Sequence, residues 1–222
     1  MKKILTIMGL VAATTLVNAQ GFIQFVGSVA GIQTNTGTFL AAGGEVSGST
    51  FGKISASSIA PGAYDFALLW ASSALTGGAG NPSWNLMTTN GGAAGSLLGN
   101  NGSAPGSLLG NGNTSGVAVD LASGTPVSIM VVGWSVSLGS SWSTVLAELN
   151  SGIWQAPGYF GETGVGTITP FATSGAGDPS IFPTTFANNT MNLYAVPTPE
   201  PATIALAGLG GLSMLIFRRR KS

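Results

Sequence analysis

Five carboxylates in the middle of the chain, Asp65, Asp120, Glu148, Glu162 and Asp178, are the side chains best suited to chemistry. A pair of acids a few ångströms apart can hydrolyse a glycosidic bond, one as acid and the other as base or nucleophile. Here each acid is isolated in sequence, and none sits in a motif that fixes its spacing to a partner. The chain has no histidine and no cysteine. That removes the usual general base, the commonest transition-metal ligand, a thiolate nucleophile and any disulfide. A serine–lysine mechanism would have to use Lys53, which lies in a Ser-rich stretch without a supporting motif. Calcium at Glu162 or Asp178 would need an Asp-rich loop of set spacing, and none is present. Isolated acids of this kind serve as solvated or turn-stabilising groups, so the expectation is no enzyme, no metal and no cofactor. A second chemistry is stacking: Trp84, Trp154 and Tyr159 are candidates to present ring faces to a sugar. The competing expectation for large aromatics is burial in the core.

The elements that must carry these residues read mainly as strands. In 64–70, Tyr64, Phe66, Leu68 and Trp70 alternate with Asp65, Ala67 and Leu69, the two-residue period of a half-buried strand. In 117–121, Val117, Val119 and Leu121 point inward, with Ala118 and Asp120 outward. The run 127–138 is apolar on both faces and predicts a central strand. Further strands are expected in 22–30, 50–59, 165–171 and 191–196. Gly, Asn, Pro and Ser clusters between them favour an antiparallel β-sandwich, jelly-roll-like, over an α/β fold. One segment breaks the pattern: Trp142, Val145, Leu146 and Leu149 recur at helical spacing after Ser140 or Ser141 and before the stop signals Asn150 and Gly152, which predicts one short helix covering the sheet. From 77 to 116 the chain is rich in Gly, Asn and Ser, and Gly-Ser-Leu-Leu-Gly-Asn occurs at 95–100 and again at 106–111. Two copies are too few for a solenoid. The segment reads either as a long loop or as a hairpin turning at 103–105.

Both ends of the chain are built for a membrane. Lys2 and Lys3, an apolar core from Ile4 to Val17 and a small-residue site before the Ala19–Gln20 bond form a secretory signal peptide over 1–19. An exported ectodomain over 20–196 follows, and a terminal region over 197–222. That region contains Pro199-Glu200-Pro201, an apolar run from Ala202 to Phe217, and the basic cluster Arg218, Arg219, Arg220 and Lys221. As a helix, 202–217 spans about 24 Å, a short single transmembrane crossing. The basic cluster stops transfer and stays in the cytoplasm. Outside the two ends the only cation is Lys53, so nucleic acid is excluded as a partner.

Pro-Glu-Pro, short apolar helix and Arg-rich end, in that order, resemble the PEP-CTERM sorting signal of Gram-negative bacteria. The resemblance implies recognition by an exosortase, a membrane cysteine transpeptidase that removes or exchanges the tail near Pro199, Glu200 and Pro201. It also implies an exported single-pass protein that becomes a cell-surface or extracellular-matrix component associated with exopolysaccharide. It covers only the tail, and implies no activity for residues 20–196. Two other readings stay open for that domain: a carbohydrate-binding surface module, and a membrane-anchored secreted hydrolase.

Overall fold

A computed structural model describes residues 21–27, 31–40, 44–45, 50–54, 63–72, 74–88, 98–101, 106–110, 116–173, 181 and 190–197. In chain order its strands are β1 (Gly21–Ile23), β2 (Val26–Gly27), β3 (Gly31–Leu40), β4 (Gly44–Glu45), β5 (Thr50–Lys53), β6 (Tyr64–Ala71), β7 (Asn85–Leu86), β8 (Leu98–Asn101), β9 (Leu108–Gly110), β10 (Val117–Val119), β11 (Val127–Ser135), β12 (Tyr159–Glu162), β13 (Gly166–Ile168) and β14 (Thr190–Ala195). Among the described residues one α-helix, α1 (Trp142–Ser151), is inserted between β11 and β12.

The two-sided apolar run becomes β11, at the centre of the sheet. It pairs antiparallel with β6 over the full span from Ser128↔Ala71 to Ser135↔Tyr64. On its other side lie β12 and β13. From there the sheet continues through β14 to β3 and β4, and from β6 it continues through β8 and β9 to β2. β8 and β9 pair antiparallel, Gly99↔Gly110 and Asn101↔Leu108, so the repeated Gly-Ser-Leu-Leu segments contribute to a hairpin. β1 and β10 form a separate two-stranded ribbon.

The expected sandwich of two antiparallel sheets needs correction on two counts. β14 and β3 run parallel, in register from Thr190↔Gly31 to Tyr194↔Asn35. They come from opposite ends of the domain, so no hairpin turn forces them antiparallel. In addition, among the described residues twelve strands belong to one hydrogen-bonded sheet, whose far ends come close to each other. Its two halves meet through Gly106, whose carbonyl accepts from Ile32 N–H at 3.3 Å and whose N–H donates to the Ile54 carbonyl at 2.6 Å. These bonds bring the β3 and β5 side close to the β9 side without a continuous ladder.

Alternation along the central strands makes two cores. Inward lie Tyr64, Phe66 and Leu68 of β6, Val127, Ile129 and Val131 of β11, and Met191 and Leu193 of β14, with Ile23, Ile32, Ile54 and Leu108. The opposite face carries Ala67 and Leu69, Met130, Val132 and Trp134, Phe160, Tyr194 and Val196. That outer face is covered by α1 through Trp142, Val145 and Leu149 and by the segment containing Ala79 and Trp84. The helix starts where Ser141 Oγ accepts from Thr144 N–H, and it ends at Gly152 in the left-handed conformation, φ 68°. Trp142 lies 5.9 Å from Trp134 and stacks at 6.3 Å on Phe160, ring centre to ring centre. Among the described residues no helix is long and apolar enough to cross a membrane. The signal segment 1–19 and the apolar run 202–217 lie outside the described residues.

Candidate functional site

At one end of the curled sheet the start of β6, the end of β11 and the start of β12 surround an open cleft of about 330 Å³. Its walls include Tyr64, Ser135, Ser137, Pro157, Gly158 and Tyr159. The register places these groups together: Ser135 is opposite Tyr64, and Trp134, one residue back, is opposite Phe160. Tyr64 and Tyr159 therefore rim the mouth of the inner core. Mouths of curled or closed β-sheets are recurrent ligand sites.

The cleft wall is internally braced. Ser135 Oγ accepts from Tyr159 N–H at 2.8 Å and lies 3.1 Å from Ser137 Oγ, and Ser137 Oγ donates to the Pro157 carbonyl at 2.8 Å. The Tyr64 phenol is pushed up to about 12, first by burial and then by the neighbouring Tyr159. It is therefore a neutral hydroxyl at any physiological pH. No charged side chain is among the residues lining the cleft. Tyr64 is itself 5% exposed, so the lining presents chiefly the half-buried Tyr159 and the exposed Pro157 and Ser137.

The described acids lie outside the cleft lining, and two of them have structural partners. Asp120 Oδ2 accepts from Thr88 Oγ1 at 2.7 Å, and Glu162 Oε2 accepts from Ala79 N–H at 2.7 Å, which pins the covering segment to β12. Asp65, at the start of β6, is half-buried, and burial raises its carboxyl above the ordinary range. Glu148 points into the outer core at 8% exposure, and its Oε2 has no hydrogen-bond partner there. Asp178 lies outside the described residues. Among the described residues no three acids gather into a set that could hold a metal ion.

The three candidate sugar-contacting aromatics are not brought together on a surface. Trp84 and Trp154 are 9% and 1% exposed, both within the outer core, and Trp154 packs 5.7 Å from Phe160. Their ring faces serve packing, so two members of the expected platform are lost to the core. Only Tyr159 reaches the cleft, beside Tyr64, Ser137 and Pro157, which carry no site signal in the sequence. The signal that could have found them is positional: Tyr64 opens a strand and Ser135 closes its partner. Ala19, Gln20, Pro199, Glu200, Pro201 and Arg218 to Lys221 lie outside the described residues.

β14 ends beside this cleft. Ala195 pairs with Tyr159, and Val196 N–H donates to the Gly158 carbonyl at 3.0 Å. The next residue, Pro197, is exposed and begins the segment that matches a known family: the PEP-CTERM protein-sorting motif matches residues 197–221. No curated protein and no solved structure matches the chain. The motif marks an exported chain sorted to the cell surface through an exosortase.

Proposed function

From that sorting signal as premise, we propose that the chain is a non-enzymatic structural protein of the cell surface or extracellular matrix, associated with exopolysaccharide. The apolar run 202–217 holds it in the membrane as a single-pass protein until the exosortase acts near Pro199, Glu200 and Pro201. The observation that carries this reading is the match at 197–221. It is compatible with the end of β14, where Val196 N–H is still bonded to Gly158 and the matched segment begins at the next residue. The partners with structural roles found for Asp120 and Glu162 support a scaffold more than a catalyst.

Replacing Glu200 by Ala tests the processing step. Proline biases the residue before it toward extended backbone, the form a protease groove reads. The variant is expected to be exported normally and to keep its tail. A Glu200→Ala chain trimmed at the wild-type rate would contradict the reading.

A further inference from the structure

We propose that Tyr64 and Tyr159 form an oxidative coupling site: with hydrogen peroxide and a haem peroxidase, or another one-electron oxidant of phenols, their rings join as dityrosine and tie β6 to β12 across β11. Placement, selectivity and compartment lead there.

Placement comes from the ladder. Ser135 of β11 lies opposite Tyr64 of β6. On its other side, Ser135 Oγ accepts from Tyr159 N–H at 2.8 Å. The two tyrosines therefore flank one serine in a row across three strands, their backbones about 10 Å apart, two strand spacings. Both lie on the inner face, Tyr64 within the inner core and Tyr159 packed against it. The serine side chain is too short to part the rings, and both tyrosines line the same cleft. Tyr159 is also the second cause of the raised Tyr64 phenol, which makes the two hydroxyl groups electrostatic neighbours.

Selectivity comes from the third tyrosine. The chain has three, and Tyr194 is 6% exposed in the outer core, on the opposite face of the sheet. The folded chain thus brings one pair of phenols together. Tyr159 is half-buried and opens on the cleft, so an oxidant meets it before Tyr64.

The compartment supplies the conditions. A chain sorted to the cell surface works where covalent cross-links persist, yet it has no cysteine to make a disulfide. A bond between positions this far apart in sequence restrains the unfolded chain in the way a long-loop disulfide does.

The step balances without any group from the protein. Each phenol loses one electron and one proton, leaving a radical shared with the ring carbons next to the hydroxyl-bearing carbon. A Cε of Tyr64 and a Cε of Tyr159 then bond, and the hydrogen on each of those carbons moves to its oxygen, which restores both phenols. In sum two ring C–H bonds are exchanged for one C–C bond. The two electrons and two protons break the O–O bond of hydrogen peroxide and leave two waters. The assignment stands whether or not the domain associates with a saccharide.

The test uses the full chain, kept dilute in mild detergent and treated with hydrogen peroxide and a haem peroxidase. Peptide mapping of the monomer is expected to find the peptides containing positions 64 and 159 joined, two hydrogens lighter than their sum and with dityrosine fluorescence. Tyr159→Phe and Tyr64→Phe keep the rings and should each abolish this adduct, whereas Tyr194→Phe should keep it. In urea the pairing is lost, and the product should become a mixture that includes Tyr194. No 64–159 adduct from folded chain, adducts only between chains, or an equal yield of the 64–159 adduct in urea would overturn the proposal.

Discussion

Gly133 is where the arrangement of β6 against β11 can be tested most sharply. It lies directly opposite Phe66 in the ladder. A Cβ built there would sit 2.5 Å from Phe66 Cε1, 2.6 Å from Phe66 Cδ1 and 3.0 Å from Met191 Cε. Carbon atoms prefer about 3.5–4.0 Å, so the Phe66 ring would have to retreat by roughly 1 Å. It has nowhere easy to go, because Phe66 is fully buried in the inner core. Overpacking of this kind costs about 1–3 kcal/mol, against a gain of roughly 0.5–1 kcal/mol from replacing glycine within a strand. Gly133→Ala is therefore expected to destabilise by about 1–2 kcal/mol, a fall in Tm of roughly 2–8 °C for a domain of this size. Thermal unfolding followed by tryptophan fluorescence reads this directly. The informative control is Gly133→Ala combined with Phe66→Leu. The smaller side chain vacates the contested space, so the double variant should lose less than the sum of the singles, with a coupling of at least about 0.5 kcal/mol. Strict additivity, or a Gly133→Ala chain as stable as wild type, would refute the register and with it the placement of the cleft.

Other expected outcomes follow from single contacts. Ser141→Ala removes the helix cap on Thr144 N–H and should cost about 1 kcal/mol, read as a lower Tm with an unchanged cleft. Glu148→Met replaces a buried carboxylate whose Oε2 has no partner by an apolar helix former. It should raise stability by about 1 kcal/mol, and a lower Tm would show that the carboxylate is bonded in solution. Asp65 has its carboxyl raised by burial, so its stabilising contribution is complete below the unfolded pKa and is lost as pH rises through the folded one. Asp65→Asn should therefore be more stable than wild type at pH 7, by under about 1 kcal/mol after solvent screening. The gap should close in acid; melting curves at both pH values check it.

Much of the fold was legible because alternation is a strong signal where both faces are buried. Of the run at 127–138, residues 127–135 gave β11 while 136–138 wind into a 3-10 turn; Tyr64 to Trp70 gave β6, and the spacing of Trp142, Val145 and Leu149 gave α1 with its Ser141 and Gly152 ends. β3 was not legible. Its sequence, Gly-Ile-Gln-Thr-Asn-Thr-Gly-Thr-Phe-Leu, has little apolar alternation, and it is held by backbone pairing to β14 on one side and β5 on the other. β12 was missed because Tyr-Phe-Gly-Glu is too short to show a period, yet it positions Tyr159. The curl of the sheet depends on contacts between distant glycines and isoleucines, such as Gly106 with Ile32 and Ile54, which no local pattern reports. For the site the division was sharper. The tail announced itself through a run of residues whose chemistry is local. The sugar platform depended on Trp84 and Trp154 being exposed, and composition cannot distinguish an exposed tryptophan from one that fills the outer core.

Sorting through the tail is tested most directly by mass spectrometry of the C-terminal peptide from protein recovered at the host cell surface and in the medium. A new terminus near Pro199, Glu200 and Pro201, bare or carrying an added mass, is the predicted result. It would identify both the processing site and whatever the domain is joined to. Protein recovered from the cell surface with Ser222 still at its end would contradict the central claim.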